Sequence, residues 1–90
     1  MQRVVLTGLG AVTPCGLDVP STWAAVCAGR SGLGPIDDWD TTGWAVRIAG
    51  QVRGYDPLDH FDRKQARRLE RFVQLALVAS KEALVDAGLD

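Results

Sequence analysis

Ninety residues with a net charge of −1 and 47% hydrophobic content allow at most one small domain. A chain of that size buries only about 60–65% of its unfolded surface, and its charge balance favours neither nucleic acid nor an anionic membrane as a partner of the whole chain. Two cysteines, Cys15 and Cys27, and one histidine, His60, exclude a disulfide framework and are not spaced as zinc ligands.

The first sixteen residues contain one basic residue and an apolar run interrupted by Gly8, Gly10 and Pro14, which is unlike a signal peptide. No run approaches the roughly 18 apolar residues of a membrane span. The default location is therefore the cytoplasm. Arg3 to Leu9 reads as a short strand apolar on both faces, with Gly8 and Gly10 marking close approach by a neighbouring backbone. Thr13-Pro14-Cys15-Gly16 is a turn signal. A helix follows from Val19–Ser21 to Ala28, stopped by Gly29, with Trp23, Val26 and Cys27 as its apolar face.

Gly29 to Asp38 is glycine-rich and reads as an irregular loop, which Trp39 and Trp44 continue and pin. Val46 to Val52 alternates as a half-exposed strand or hairpin arm, with Val46, Ile48 and Val52 on one side. Asp56-Pro57 reads as an N-cap and first helical residue of one short turn through Phe61.

Asp62 to Gly88 then reads as one long helix or two abutting ones. Asp62 with Gln65 resembles a capping box, and Gly88 suits the position after the C-cap. At 100° per residue, Lys64, Arg67, Arg68 and Arg71 share one face. Asp62 to Phe72 carries a local charge of +3, leaving −4 on the remainder. From Phe72 to Ala79 the one polar residue is Gln74, so the helix is expected to enter an interior with a cationic collar at its mouth. Two strand candidates and a helix needing burial all round exceed what ninety residues can satisfy. The expectation is the front of a larger domain, with no boundary inside residues 1–90.

Several chemical readings are weak. Gly8-Leu9-Gly10 lacks the third glycine of a dinucleotide fingerprint, since position 13 is Thr13 and Pro14 follows. Cys15 has no base nearby in sequence and reads as a small space-filling residue; Cys27 reads as core, and His60 as a surface or half-buried residue near a helix end. Asp37, Asp38 and Asp40 read as turn and capping residues. The collar is stronger. Like charges at Lys64–Arg68 and Arg67–Arg71 cost a few tenths of a kcal/mol each, a cost more natural if an anionic partner covers them. No aromatic residues interleave the cations for base stacking, which disfavours nucleic acid.

RVVLTGLGAVTPCG, AGRSGLGPIDDWD, VRIAGQV, YDP and the block from Asp62 onward resemble, in order and spacing, the N-terminus of the β-ketoacyl-acyl carrier protein synthases, closest to the synthase II type. Polyketide ketosynthases are near relatives. The resemblance implies an α/β, thiolase-like fold of layered αβαβα form, incomplete in this chain, and a homodimer. It implies an acyltransferase of fatty acid or polyketide synthesis that condenses an acyl thioester with malonyl-carrier protein by decarboxylative Claisen chemistry. No cofactor is implied beyond the phosphopantetheine on which the carrier brings its substrate, and no metal, nucleic acid or membrane insertion. The nucleophilic cysteine and the histidine pair of that family lie after position 90, so neither Cys15 nor His60 inherits a catalytic role. What transfers is carrier-protein docking, onto Lys64, Arg67 and Arg68 and less directly onto Arg63 and Arg71. Arg68 stands where family members often have lysine, which keeps the charge and changes the contact geometry. The alternative is a non-catalytic truncated or split piece that acts as an interaction module.

Overall fold

The computed structural model describes residues 2–89. Its elements are α1 (Val19–Cys27), β1 (Leu33–Pro35), β2 (Ile48–Gly50), a 3-10 turn (Pro57–Asp59), α2 (Arg63–Arg68) and α3 (Arg71–Asp86). The radius of gyration is 16.0 Å, against about 12 Å for a compact domain of this length. The described residues form an open assembly around one side of α3.

That side is lined by Ala79, Ala83 and Ala87, one helical turn apart, and the N-terminal segment lies across it. A Cβ added at Gly8 would stand 2.7 Å from the Ala87 nitrogen, and one at Gly10 would stand 2.8 Å from the Ala83 nitrogen. The close approach expected of these glycines is therefore real, and the neighbour is a helix. The strand expected over Arg3–Leu9 does not form. It has no pairing partner among the described residues, and Val4 and Leu6 stand 90% and 85% exposed. A strand is defined by the ladder it joins, and the two strands present here pair with each other.

Thr13 and Gly16 exchange backbone hydrogen bonds of 2.8 and 3.1 Å across the expected turn, and the Thr13 hydroxyl accepts from the backbone N–H of Cys15. Asp18 caps α1 by accepting from the Ser21 N–H at 2.9 Å. At the other end Gly29 takes a φ of 70°, and the Gly29 and Arg30 N–H groups return to the Val26 and Ala25 carbonyls. This is a Schellman ending, which satisfies carbonyls that a helix terminus leaves free. The buried residue of α1 is Ala25, whereas Trp23, Val26 and Cys27 are exposed. Their expected role as core is not met, because nothing among the described residues covers that face.

The glycine-rich loop holds a strand after all. Leu33–Pro35 pairs antiparallel with Ile48–Gly50, so the hairpin arm read from Val46–Val52 has its partner inside Gly29–Asp38. Burial along the arm does not divide by side, since Val52 is half-buried although Val46 and Ile48 on its side are not. On the other side Ala49 is half-buried and Gln51 buried. Gln51 is held by Arg53, which folds back across Gly34 to donate to the Pro35 carbonyl at 2.7 Å and to Gln51 Oε1 at 3.0 Å, and pairs with Asp37 at 3.3 Å. Trp39 and Trp44 pack on each other, ring centroids 6.0 Å apart.

Asp56 caps the 3-10 turn through the Leu58 N–H, as its sequence implies. The basic stretch resolves into two abutting helices, with Leu69 and Glu70 between them in extended backbone. α3 ends as α1 does. Gly88 has φ 75°, and the Gly88 and Leu89 N–H groups reach the Val85 and Leu84 carbonyls. The all-round burial expected of this helix is absent, since Phe72, Leu77, Leu84 and Val85 are exposed.

Ala25 is the one buried hydrophobic residue among those described. With so little apolar area removed from water, chain entropy outweighs burial. These ninety residues expressed alone are expected to show no cooperative thermal transition. A sharp two-state melt from a monomer would contradict this.

Candidate functional site

The densest charge sits on α2. Asp62 opens the helix by accepting from the Gln65 N–H at 2.7 Å, which supplies half of the expected capping box. Arg63, Lys64, Arg67 and Arg68 follow, all exposed. No ion pair among the described residues involves these four cations. Arg67 and Arg68 occupy the last turn, where a cation also meets the negative end of the helix dipole. That term favours them locally and leaves the guanidinium groups facing water.

Arg71 belongs to a different environment. Two extended residues separate it from α2, so the spacing that grouped it with Lys64, Arg67 and Arg68 on one helix does not hold. Its guanidinium donates to the Val52 carbonyl at 2.8 Å and lies 5.3 Å from the centre of the Tyr55 ring. It fastens the chain after the hairpin onto the start of α3.

The joint between α2 and α3 is filled by Gln74, 4% exposed. Its Nε2 donates to the Ala66 carbonyl at 3.1 Å and the Leu69 carbonyl at 2.9 Å. Its Oε1 accepts from the Tyr55 hydroxyl at 2.7 Å. Carbonyls at the end of α2 lose helical partners where the backbone breaks, and the amide replaces them. His60 stacks on Tyr55 with centroids 5.7 Å apart, and Phe61 meets His60 edge-on. Sequence reading allowed two abutting helices but gave Tyr55 no role and did not foresee its bond to Gln74. The available signal was Gln74 itself, the single polar residue in an apolar run.

Other sequence-level candidates do not assemble. Cys15 is half-buried in its turn and Cys27 exposed on α1. Asp37 is engaged by Arg53, and Asp40 accepts from the Thr42 N–H and hydroxyl, which holds its carboxyl below the usual range. No group of His, Cys, Asp and Glu suited to a metal occurs among the described residues. An open groove of about 740 Å³ runs between the start of α1, the 3-10 turn and α3, lined by Leu17, Phe61, Leu77 and Val78 with His60 and Glu82.

Solved structures share this arrangement. The fold superposes on the ishigamide ketosynthase/chain length factor with a TM-score of 0.81 and 36% identity, over 99% of this chain and 22% of that one. It superposes on a beta-ketoacyl synthase from Burkholderia phymatum STM815 with a TM-score of 0.76 and 36% identity, over all of this chain and 22% of that one. The expected thiolase-like α/β fold is thus present in its N-terminal part. The chain belongs to the beta-ketoacyl synthase family, whose N-terminal domain matches residues 1–90. It is 45% identical over 89 residues to 3-oxoacyl-[acyl-carrier-protein] synthase 2 of Staphylococcus aureus (strain COL), covering 99% of this chain and 22% of that protein. The corresponding Synechocystis synthase 2 is 43% identical over 88 residues, 98% of this chain and 21% of that protein. The chain therefore spans about one-fifth of the length of the relatives it matches.

Partial burial pushes the Tyr55 phenol above its ordinary value of 10.0; the Arg71 cation opposes the shift and Asp56 adds to it. Because the folded value lies above the unfolded one, this group's stabilisation is full below pH 10.0 and is lost as the pH rises through the folded value. In the intact protein, phenolate absorbance of the parent minus that of Tyr55→Phe is expected to titrate above pH 10.0. A difference signal that titrates at or below that value would refute the burial assigned to the joint.

Proposed function

We propose that the intact protein is a 3-oxoacyl-[acyl-carrier-protein] synthase or a close polyketide relative. In that reaction the enzyme holds the acyl chain as a thioester, malonyl-carrier protein loses carbon dioxide, and the resulting enolate carbon attacks the thioester carbonyl. A new carbon–carbon bond forms, the enzyme thiol leaves, and the product stays on the carrier as a 3-oxoacyl thioester. The segment described here contributes scaffold and a docking face; its family's nucleophile and histidine pair fall outside it.

The observation that carries the docking assignment is the unpaired cluster Arg63, Lys64, Arg67 and Arg68 on α2. Acyl carrier protein suits it, because clustered carboxylates and a phosphopantetheine phosphate are the anions that guanidinium and ammonium groups recognise. Such a contact gives fast, salt-sensitive, transient association, suited to a carrier that must deliver and depart. Arg71, held by Val52 and Tyr55, supports the site from behind. The same reading places the protein in the cytoplasm as a homodimer, with no cofactor of its own.

In the intact protein, the double substitution Arg67→Glu and Arg68→Glu is expected to weaken acyl carrier protein binding at low salt by about tenfold or more, with the difference shrinking as salt rises. The measurement is a titration across ionic strengths. Unchanged affinity at low salt would remove α2 from the docking surface.

A further inference from the structure

Gln74 occupies an unusual position for a polar side chain. It is 4% exposed inside an otherwise apolar run, and both polar atoms of its amide group have partners outside its own helix. The two N–H bonds of Nε2 go to the Ala66 and Leu69 carbonyls, and Oε1 takes the Tyr55 hydroxyl. In an unbroken helix those two carbonyls would accept from the N–H groups of Glu70 and Val73. Here Leu69, with ψ 128°, and Glu70, with ψ 155°, leave the helical region, and Gln74 reaches back to fill the gap.

We propose that Gln74 is the positioning residue of the basic face. It fixes the angle at which α2 leaves α3 and so the direction in which Arg63, Lys64, Arg67 and Arg68 point. Resting on the docking assignment above, the inference adds a cause for the geometry of that surface. Without the amide, the two carbonyls recover hydrogen bonds either from water or by continuing the helix through Leu69 and Glu70. Continuation would put the four cations in helical phase with α3 and so change the direction in which they face. Tyr55 makes the angle a property of more than one helix. Its ring carries Arg71 and His60, so the hairpin's exit, the 3-10 turn and both helices meet at one amide.

The chemistry separates Gln74 from a generic core residue. Gln74→Glu is nearly isosteric and still accepts from Tyr55, but it cannot donate twice. Gln74→Leu removes both functions. Tyr55→Phe leaves the amide donors in place and deletes only the hydroxyl, a milder change that keeps the question open to measurement should Gln74→Leu not fold.

The test titrates acyl carrier protein against intact parent, Gln74→Glu, Gln74→Leu and Tyr55→Phe proteins over a range of salt. The Arg67→Glu/Arg68→Glu protein is titrated alone and combined with each. Positioning predicts that Gln74→Glu and Gln74→Leu weaken low-salt binding about tenfold, flatten its salt dependence, and make charge reversal nearly without further effect. Tyr55→Phe is expected to move in the same direction by about threefold. A parent-like salt slope in the Gln74 variants, with charge reversal still costing its full amount in their background, would overturn the inference while leaving docking intact. If charge reversal alone leaves affinity unchanged, the docking assignment falls, and this inference with it.

Discussion

Two backbone N–H groups from separate segments end on one carboxylate. Glu82 Oε1 accepts from Ala11 and Oε2 from Val19, each at 2.9 Å, and four residues on Asp86 accepts from Leu9 at 3.0 Å. Charge-assisted bonds of this kind are roughly twice as strong as neutral ones. They tie the N-terminal run and the first turn of α1 to the same strip of α3. Side chains larger than hydrogen at residues 8 and 10 would hold the run off the helix and pull those N–H groups out of reach. The two glycines, the three alanines facing them and the two acids are thus one device, and the placement of α1 follows from it.

The opposite end of α3 works by a different economy. There the chain leaves helical geometry for two residues, and an amide side chain takes the place of the missing backbone partners. The break separates two kinds of cation. Arg71 is spent on a carbonyl and an aromatic face, while those of α2 keep their fields for solvent. At physiological salt an exposed charge is felt over about 8 Å. A patch with so short a reach depends on its direction, which makes a rigid, hydrogen-bonded joint more consequential than one further lysine.

Local chemistry in this chain was legible where one residue type carries one mechanism. Asp56 and Asp62 as caps, Gly29 and Gly88 as helix stops, the Thr13–Gly16 turn and the close approach at Gly8 and Gly10 are all readable, because each answers a backbone constraint within a few residues. Faces were not. The apolar face read at Trp23, Val26 and Cys27 and the strand side read at Val46 and Ile48 stand exposed, since periodicity says which residues share a side and not whether anything covers it. Leu33–Pro35 hid within a glycine-rich loop, as three residues carry no alternation to detect. Within the candidate site the cations were plain from composition, whereas the Tyr55–Gln74 bond spans nineteen positions and no local pattern announces it.

The loop between the hairpin strands carries its own optical signature. Trp39 and Trp44 lie 6.0 Å apart with ring planes inclined at 51°. Two identical indoles at that separation and tilt couple their transition dipoles, so the pair yields a split circular-dichroism couplet that neither ring gives alone. The third tryptophan, Trp23, sits on α1, outside this loop. The geometry that the Asp40–Thr42 and Arg47–Trp44 hydrogen bonds impose on a few polar residues is thereby written into a band that vanishes when the loop opens.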